Sequence, residues 1–127
     1  MAQWSEVAQI LMNSRVHVAE KVEHNLIKVS LSTDKGRSQD VYVANIDDFV
    51  TFSSIVCYLN TVDVVKLMTS DFVKKIPYGL GAVGEFLAIK HVQKLESLDI
   101  GELAAPIAEL AHFADYIESA LSGGDVF

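Results

Sequence analysis

One stretch of the chain, from Phe49 to Leu59, is apolar on both of the faces that a β-strand would present. Alternate residues of a strand point to opposite sides, so Phe49 and Ile55 share one side and Phe52 and Val56 share the other. A strand that is exposed on one face alternates apolar and polar residues, whereas a strand covered on both faces is apolar throughout. We therefore predict a central strand that is covered on both faces and around which the rest of the chain packs.

This stretch is too short to cross a membrane as a helix. The uncharged run from Phe49 to Val62 has 14 residues and includes two Thr, two Ser and one Asn, whereas a membrane-spanning helix needs about 20 apolar residues. The 127 residues, 50% of them hydrophobic, suffice for one domain with a hydrophobic core. We predict a single domain over residues 1–127.

The charge and the first residues of the chain exclude several classes of partner and location. Ten basic and 17 acidic residues give a net charge of −7, which repels phosphate backbones and anionic lipid surfaces. Neither nucleic acid nor a membrane is therefore an expected partner. The sequence after Met1 lacks the basic and then apolar segments of a secretory signal, which predicts a cytoplasmic protein.

Apolar spacing and turn residues predict the elements on either side of the central strand. The order is helix, three or four strands, helix, two strands, helix, which is an α+β fold. The predicted helices and strands before the last helix are residues 4–13, an ambiguous strand at Val16–Val22, then Leu26–Ser32, Gln39–Ala44, the central strand, a helix at 61–75 with Asn60 as N-cap, and a hairpin of Tyr78–Val83 and Phe86–Leu95.

The last helix has the clearest periodicity in the chain. Asp99 and Glu102 form a capping pattern at its start, and Pro106 predicts either a kink or a start near Ala105. Gly123-Gly124 is expected to end the helix. The apolar residues that recur at steps of three and four are Leu103, Ile107, Leu110, Ala114, Ile117 and Leu121.

Three glycines, Gly79, Gly81 and Gly84, match the G-x-G-x-x-G pattern of dinucleotide-binding folds. In that fold the last glycine opens a helix, but here a strand-like segment follows Gly84, and the chain is too short for two βαβαβ halves. A twisted strand or a tight hairpin turn is the better explanation of these glycines.

No residue pattern predicts a catalytic site, a metal site or a cofactor. Cys57 is the single cysteine, so no intrachain disulfide forms, and a buried thiol acting as a small hydrophobe is expected. Lys35 and Arg37 are interpreted as solubilising the turn that follows Ser32. The four histidines lack metal-ligand spacing, and a carboxylate pair on the last helix is interpreted as a solvated acidic face. The histidines are His17, His24, His91 and His112, and the carboxylates weighed for a site are Asp47, Asp48, Asp115, Glu118 and Asp125.

The order of elements and three segments of the chain resemble the YbjN-like proteins, which are related in fold to the class I type III secretion chaperones. The first segment is Gly36-Arg37-Ser38-Gln39 followed by Val41 and Val43. The second runs from Gly84-Glu85 through Leu87 and Leu95 to Leu98-Asp99, and the third contains Ala114-Asp115, Glu118, Leu121, Gly123 and Asp125. The resemblance covers nearly the whole chain.

The resemblance implies a single domain with a twisted antiparallel sheet, helices packed on it, and pairing as a homodimer. It also implies a non-enzymatic chaperone or adaptor that holds an extended segment of a protein client, by means of apolar patches and an open strand edge. Two other hypotheses stay open: a small-molecule sensor or enzyme with a pocket between sheet and helices, and a structural subunit of a larger assembly. Cys57, His91 and Asp115 are the candidate polar groups of such a pocket.

Overall fold

The computed structural model describes residues 2–14, 17–33 and 36–122, and it shows an α+β fold built on a six-stranded antiparallel sheet. The strand order across the sheet is β1-β2-β3-β4-β6-β5. The strands are β1 (Val18–Glu23), β2 (Leu26–Ser32), β3 (Ser38–Ile46), β4 (Phe49–Tyr58), β5 (Gly79–Val83) and β6 (Phe86–Lys94). The helices are α1 (Trp4–Asn13), α2 (Val64–Met68), α3 (Asp71–Lys74) and α4 (Ala104–Ser122).

The predicted fold class is confirmed, and four strands precede the first helical segment after β4. Strand bounds agree with the sequence patterns to within about two residues, and Leu26–Ser32 agrees at both ends. Val16, the first residue of the ambiguous strand, lies outside the described residues, and that strand is observed at Val18–Glu23. β4 lies inside the sheet between β3 and β6.

One face of the sheet carries the helices and the hydrophobic core. α4 packs on β3, β4 and β6, and α1 packs on β1 and β2. Val50, Phe52 and Val56 of β4 join this core together with buried residues of α1, α2 and α4. The Trp4 indole Nε1 donates to the His24 carbonyl at 2.8 Å, which fixes α1 over the β1–β2 hairpin.

The prediction that β4 is covered on both faces is wrong for the single chain. Phe49 on the second face is exposed, and Thr51 and Ile55 are half-buried. Within the described residues, the helices join the core on the first face and leave this second face, here called the open face, without a helical layer. The sequence of β4 is apolar on both faces, but only one of these faces is covered within this chain.

The predicted helix at 61–75 is two short helices, and the prediction of Asn60 as N-cap is wrong. The Asp63 side chain caps α2 by accepting from the Lys66 backbone N–H at 3.1 Å. The Thr69 hydroxyl donates to the Val65 carbonyl at 2.9 Å, and the Ser70 hydroxyl donates to a carbonyl of the same helix. Hydroxyl groups that bond helix carbonyls compete with the backbone, which explains the break between α2 and α3.

Of the two expectations for the last helix, a start near Ala105 is correct. A short 3-10 turn at Ile100–Glu102, capped by Asp99, precedes α4. Pro106 therefore lies in the first turn of α4, where a missing N–H costs no helical hydrogen bond. The predicted stop at Gly123-Gly124 lies outside the described residues. None of the described helices is long and apolar enough to span a membrane.

Candidate protein-binding surface

The two edges of the sheet differ in charge. β1, at one edge, carries Glu20, Lys21 and Glu23, and charged residues are a usual protection of an edge strand against pairing with other chains. β5, at the other edge, has the sequence GLGAV and no charged residue. The edge formed by β5 is therefore the one suited to accept a further strand.

Backbone groups on the outer side of β5 can be assigned from the hairpin geometry. Val83 and Phe86 flank a two-residue turn, and residues that flank such a turn exchange backbone hydrogen bonds. Gly81, two residues before Val83, also bonds toward β6. The backbone N–H and C=O groups of Leu80 and Ala82 then point away from the sheet, where another strand can bond them.

Two glycines of the G-x-G-x-x-G pattern, Gly81 and Gly84, lie where the hairpin restricts a side chain, as expected from the sequence. Gly84 has φ +60° in the turn, a conformation that side chains disfavour. At Gly81, a Cβ atom would lie 3.3 Å from Cδ of Lys90, because the stem of that lysine crosses the strand there. A side chain at Gly81 would require the Lys90 stem to shift by a few tenths of an ångström.

The open face contains a groove of about 290 Å³ that is lined by strand residues alone. Four of them, Ile46, Val83, Leu26 and Ile55, are large and aliphatic. The complete lining is Leu26, Tyr42, Ala44, Ile46, Thr51, Ser53, Ile55, Val83 and Lys90. The sequence pattern does not predict this surface, because the second apolar face of β4 has the pattern of a core face.

Two segments that carry the family resemblance contact each other across the fold. Arg37 Nη2 donates to Asp115 Oδ2 at 3.0 Å, and Arg37 Nη1 donates to the Ser119 hydroxyl at 3.3 Å. Gln39 Nε2 donates to Glu118 Oε2 at 3.0 Å. These contacts, here called the β3–α4 clasp, join the start of β3 to the second half of α4.

The clasp corrects two interpretations made from the sequence. Asp115 is only 5% exposed, so it does not belong to a solvated acidic face, although Glu118 is exposed. Arg37 bonds the buried carboxylate and does more than solubilise a turn. Lys35 lies outside the described residues.

The remaining candidate residues do not converge. Asp47 and Asp48 form the turn between β3 and β4, far along the chain from the clasp, and Asp125 lies outside the described residues. Among the residues that the structure describes, no group of three or more His, Cys, Asp or Glu side chains is placed to hold a metal ion. His17 contacts the Leu11 carbonyl at 3.1 Å, and His112 is exposed on α4.

Cys57 is half-buried rather than fully buried. Burial raises the pKa of its thiol, and the negative charge of Glu118 raises it further, against the opposing effect of a hydrogen bond with Thr61. A raised pKa keeps a thiol protonated and therefore less nucleophilic at neutral pH. The environment agrees with the expectation that Cys57 acts as a hydrophobic side chain.

A cleft of about 610 Å³ lies between the β5–β6 hairpin and the start of α4. The Tyr78 hydroxyl donates to Glu109 Oε2 at 2.5 Å, and the Tyr78 ring meets the His91 ring edge-on with 5.4 Å between centroids. His91 is thus the one pocket candidate from the sequence that lines this cleft, since Asp115 lies in the clasp.

The pKa of Tyr78 is a direct check of the Tyr78–Glu109 contact in this cleft. Burial first, and then the hydrogen bond to the Glu109 carboxylate and its charge, raise the pKa of Tyr78 to about 12. The folded protein holds the phenol proton more tightly than the unfolded chain, so this contribution to the free energy of unfolding is complete below pH ~10 and is lost as the pH rises to ~12. The phenolate absorbance of Tyr78 is the difference between the wild type and Tyr78→Phe, measured in stopped-flow pH jumps. We expect this difference to titrate with a midpoint near 12. A midpoint near 10 would contradict the geometry.

No family model and no curated protein matches the chain. The resemblance to YbjN-like proteins therefore stays a prediction, and the function has to be argued from the surfaces described above.

Proposed function

We propose that the protein is a non-enzymatic protein-binding module of chaperone or adaptor type, and that it holds an extended segment of a protein client. The observation that supports this most is the uncharged edge strand β5, at the edge of the sheet opposite to the charged edge strand β1. An extended peptide that adds to such an edge gains main-chain hydrogen bonds whatever its sequence, and neighbouring pockets supply selectivity. The proposed module works as a homodimer in the cytoplasm.

Substitution of Ala82 tests the proposed binding edge. Ala82 is exposed and its N–H points outward, so Ala82→Pro removes one bond to a client strand without removing a bond to β6. We expect Ala82→Pro to weaken client binding about tenfold or more, and Ala82→Ser, which keeps the N–H, to bind as the wild type does. The tagged proteins are recovered from the native host under mild conditions, and partners are quantified by mass spectrometry against a tag-only control.

Circular dichroism and thermal unfolding of both variants show whether the hairpin is intact. A stoichiometric partner that is lost with Ala82→Pro and kept with Ala82→Ser supports the proposal. A partner that binds both variants equally would exclude strand addition at β5, and recovery of the protein alone would exclude a stable client.

A second candidate function, a small-molecule sensor, is favoured by the cleft at Tyr78 and His91. Its lining combines aromatic rings with the carboxylates of Asp99, Glu102 and Glu109, which suits a small cation with an apolar part. A thermal-shift screen of aromatic amines tests it. A stabilisation that Tyr78→Phe abolishes would support the sensor, and the absence of any stabilising amine would leave the protein-binding module as the account of this chain.

A further inference from the structure

The open face of the sheet is continuous across all six strands. Cross-strand pairing aligns Lys28, Tyr42, Ser53 and Lys90 in one row of this face. The next row contains Leu26, Ala44, Thr51 and Val92. The pairs Glu20–Lys28 and Gly79–Lys90 extend the first row to β1 and β5, so alternating residues of all six strands build one surface. The apolar groove, lined by five of these strands, is its centre.

Large apolar side chains project from this surface. Ile46 is 54% exposed and Val92 is 52% exposed, and Phe49 and Val83 are exposed as well. Contiguous apolar patches of this kind on soluble proteins mark surfaces that contact another molecule. A partner that covers this surface at working concentrations is favoured, because an uncovered apolar sheet promotes aggregation.

The charge of the open face favours a second copy of the chain. Its three lysines and three carboxylates give it no net charge, while the whole chain carries −7. Two acidic molecules repel each other through most of their surfaces, but not through a neutral one. The charged residues of the face are Lys28, Lys90, Lys94, Glu20, Glu23 and Asp40.

The lysine nearest the groove does not block close approach. The stem of Lys90 crosses β5 at Gly81, where Cδ lies 3.3 Å from the position of a Cβ atom. A lysine in this arrangement contributes apolar stem to the surface and directs its ammonium toward the sheet edge and water. The small side chains of Ala44, Ser53 and Ala88 make a shallow depression in the middle of the face.

The size of the face is adequate for a dimer. Six strands about 4.8 Å apart, averaging about eight residues in length at about 3.4 Å per residue, make a flat area on the order of 700 Å². Because side chains project from the sheet, the accessible area is larger than the flat area and approaches the roughly 800 Å² that each partner buries in a stable interface.

We propose that two copies of this chain pack their open faces together, as a two-fold symmetric sandwich of two sheets. Such sheets lie about 10 Å apart, and the exposed side chains of Ile46 and Val92 of one copy enter the groove of the other. The second apolar face of β4 then acquires the cover that its sequence predicts. This inference deepens the homodimer of the proposed function, and it leaves the β5 edge of each copy free for a client.

The test compares glutamate substitutions on three surfaces, measured by sedimentation equilibrium over a wide concentration range. Ile46→Glu and Val92→Glu alter the open face at side chains that are already half in water, so both variants are expected to fold. Val65→Glu alters α2, where the side chain is 75% exposed, and Ile10→Glu alters α1. Each substitution occurs twice in a two-fold dimer.

The wild type is expected at twice the 13.9 kDa of one chain. Val92→Glu and Ile46→Glu are expected to raise the dissociation constant about 100-fold, tenfold for each copy. Val65→Glu and Ile10→Glu should leave it unchanged. If circular dichroism shows that a glutamate variant is unfolded, the milder Val92→Thr is measured instead. It is expected to raise the dissociation constant about threefold to tenfold.

Three results would overturn this inference: a wild type that stays monomeric, open-face variants that dimerise as the wild type does, or a dimer that Val65→Glu dissociates and Val92→Glu does not. None of these results bears on client capture at β5. If Val92→Glu stays dimeric but loses a client that Ala82→Pro retains, the open face is the client site, and the binding role survives without the proposed sandwich.

Discussion

Replacing Phe52 with alanine is expected to lower the free energy of unfolding by about 3–5 kcal/mol. Phe52 is fully buried on the helix-covered face of β4, between Val43 of β3 and His91 of β6, and its ring centroid lies 5.7 Å from that of His91. The loss combines the transfer of an aromatic side chain to water with the cavity left behind. Urea unfolding monitored by circular dichroism measures it.

Ile55→Ala is the matched control, since Ile55 belongs to the same strand but faces the open side. In dilute solution we expect it to cost about 1 kcal/mol, because the side chain is only half-buried in one chain. At concentrations that favour the dimer its cost should increase, whereas that of Phe52→Ala should not change. Equal costs at every concentration would contradict the difference between the two faces.

Arg37→Ala has the second largest expected effect, a loss of about 2–3 kcal/mol in the free energy of unfolding. The substitution leaves the buried Asp115 carboxylate without its ionic partner, and such losses reach 3–5 kcal/mol when both groups are buried. The value here is lower because Arg37 is about half exposed and water can replace part of the contact.

A double-mutant cycle with Asp115→Asn isolates the clasp from other effects of each substitution. Arg37→Lys keeps the charge but not the planar fork that reaches both Asp115 and Ser119, so an intermediate loss of about 1 kcal/mol is expected. A coupling energy below about 0.3 kcal/mol would show that the contact does not stabilise the protein.

Most strands were predictable because the pattern that identifies them is local. In β2 and β3 apolar residues alternate with polar ones, and the structure buries the apolar set, for example Ile27 and Val29 of β2. The start of α4 was predictable for the same reason, since Asp99 and Pro106 are close in sequence to the helix that they define.

Other features depend on contacts between distant parts of the chain. Arg37 and Asp115 are separated by 78 positions, and each alone has the pattern of an ordinary surface residue. The break after Met68 depends on which carbonyls the hydroxyls of Thr69 and Ser70 bond. The position of β5 at the sheet edge depends on β4 pairing with β6, which local periodicity does not encode.

The edge strand β5 has one sequence feature from which its exposed position could be predicted. Residues 79–83 form a strand without charge, whereas the first strand contains three charged residues in six. Protected edges carry charge, so an uncharged short strand next to a hairpin turn indicates either an inner strand or an edge with a partner. The open face could not be predicted from the sequence, because an apolar strand face has the same pattern whether its own chain or another molecule covers it.

The most direct test of the proposed function is amide hydrogen exchange of the protein with its co-purified partner, followed residue by residue. We predict that the outward amides of Leu80 and Ala82 become strongly protected on binding, while the already bonded amide of Gly81 changes little. Binding that leaves the exchange of Leu80 and Ala82 unchanged would contradict strand addition at β5.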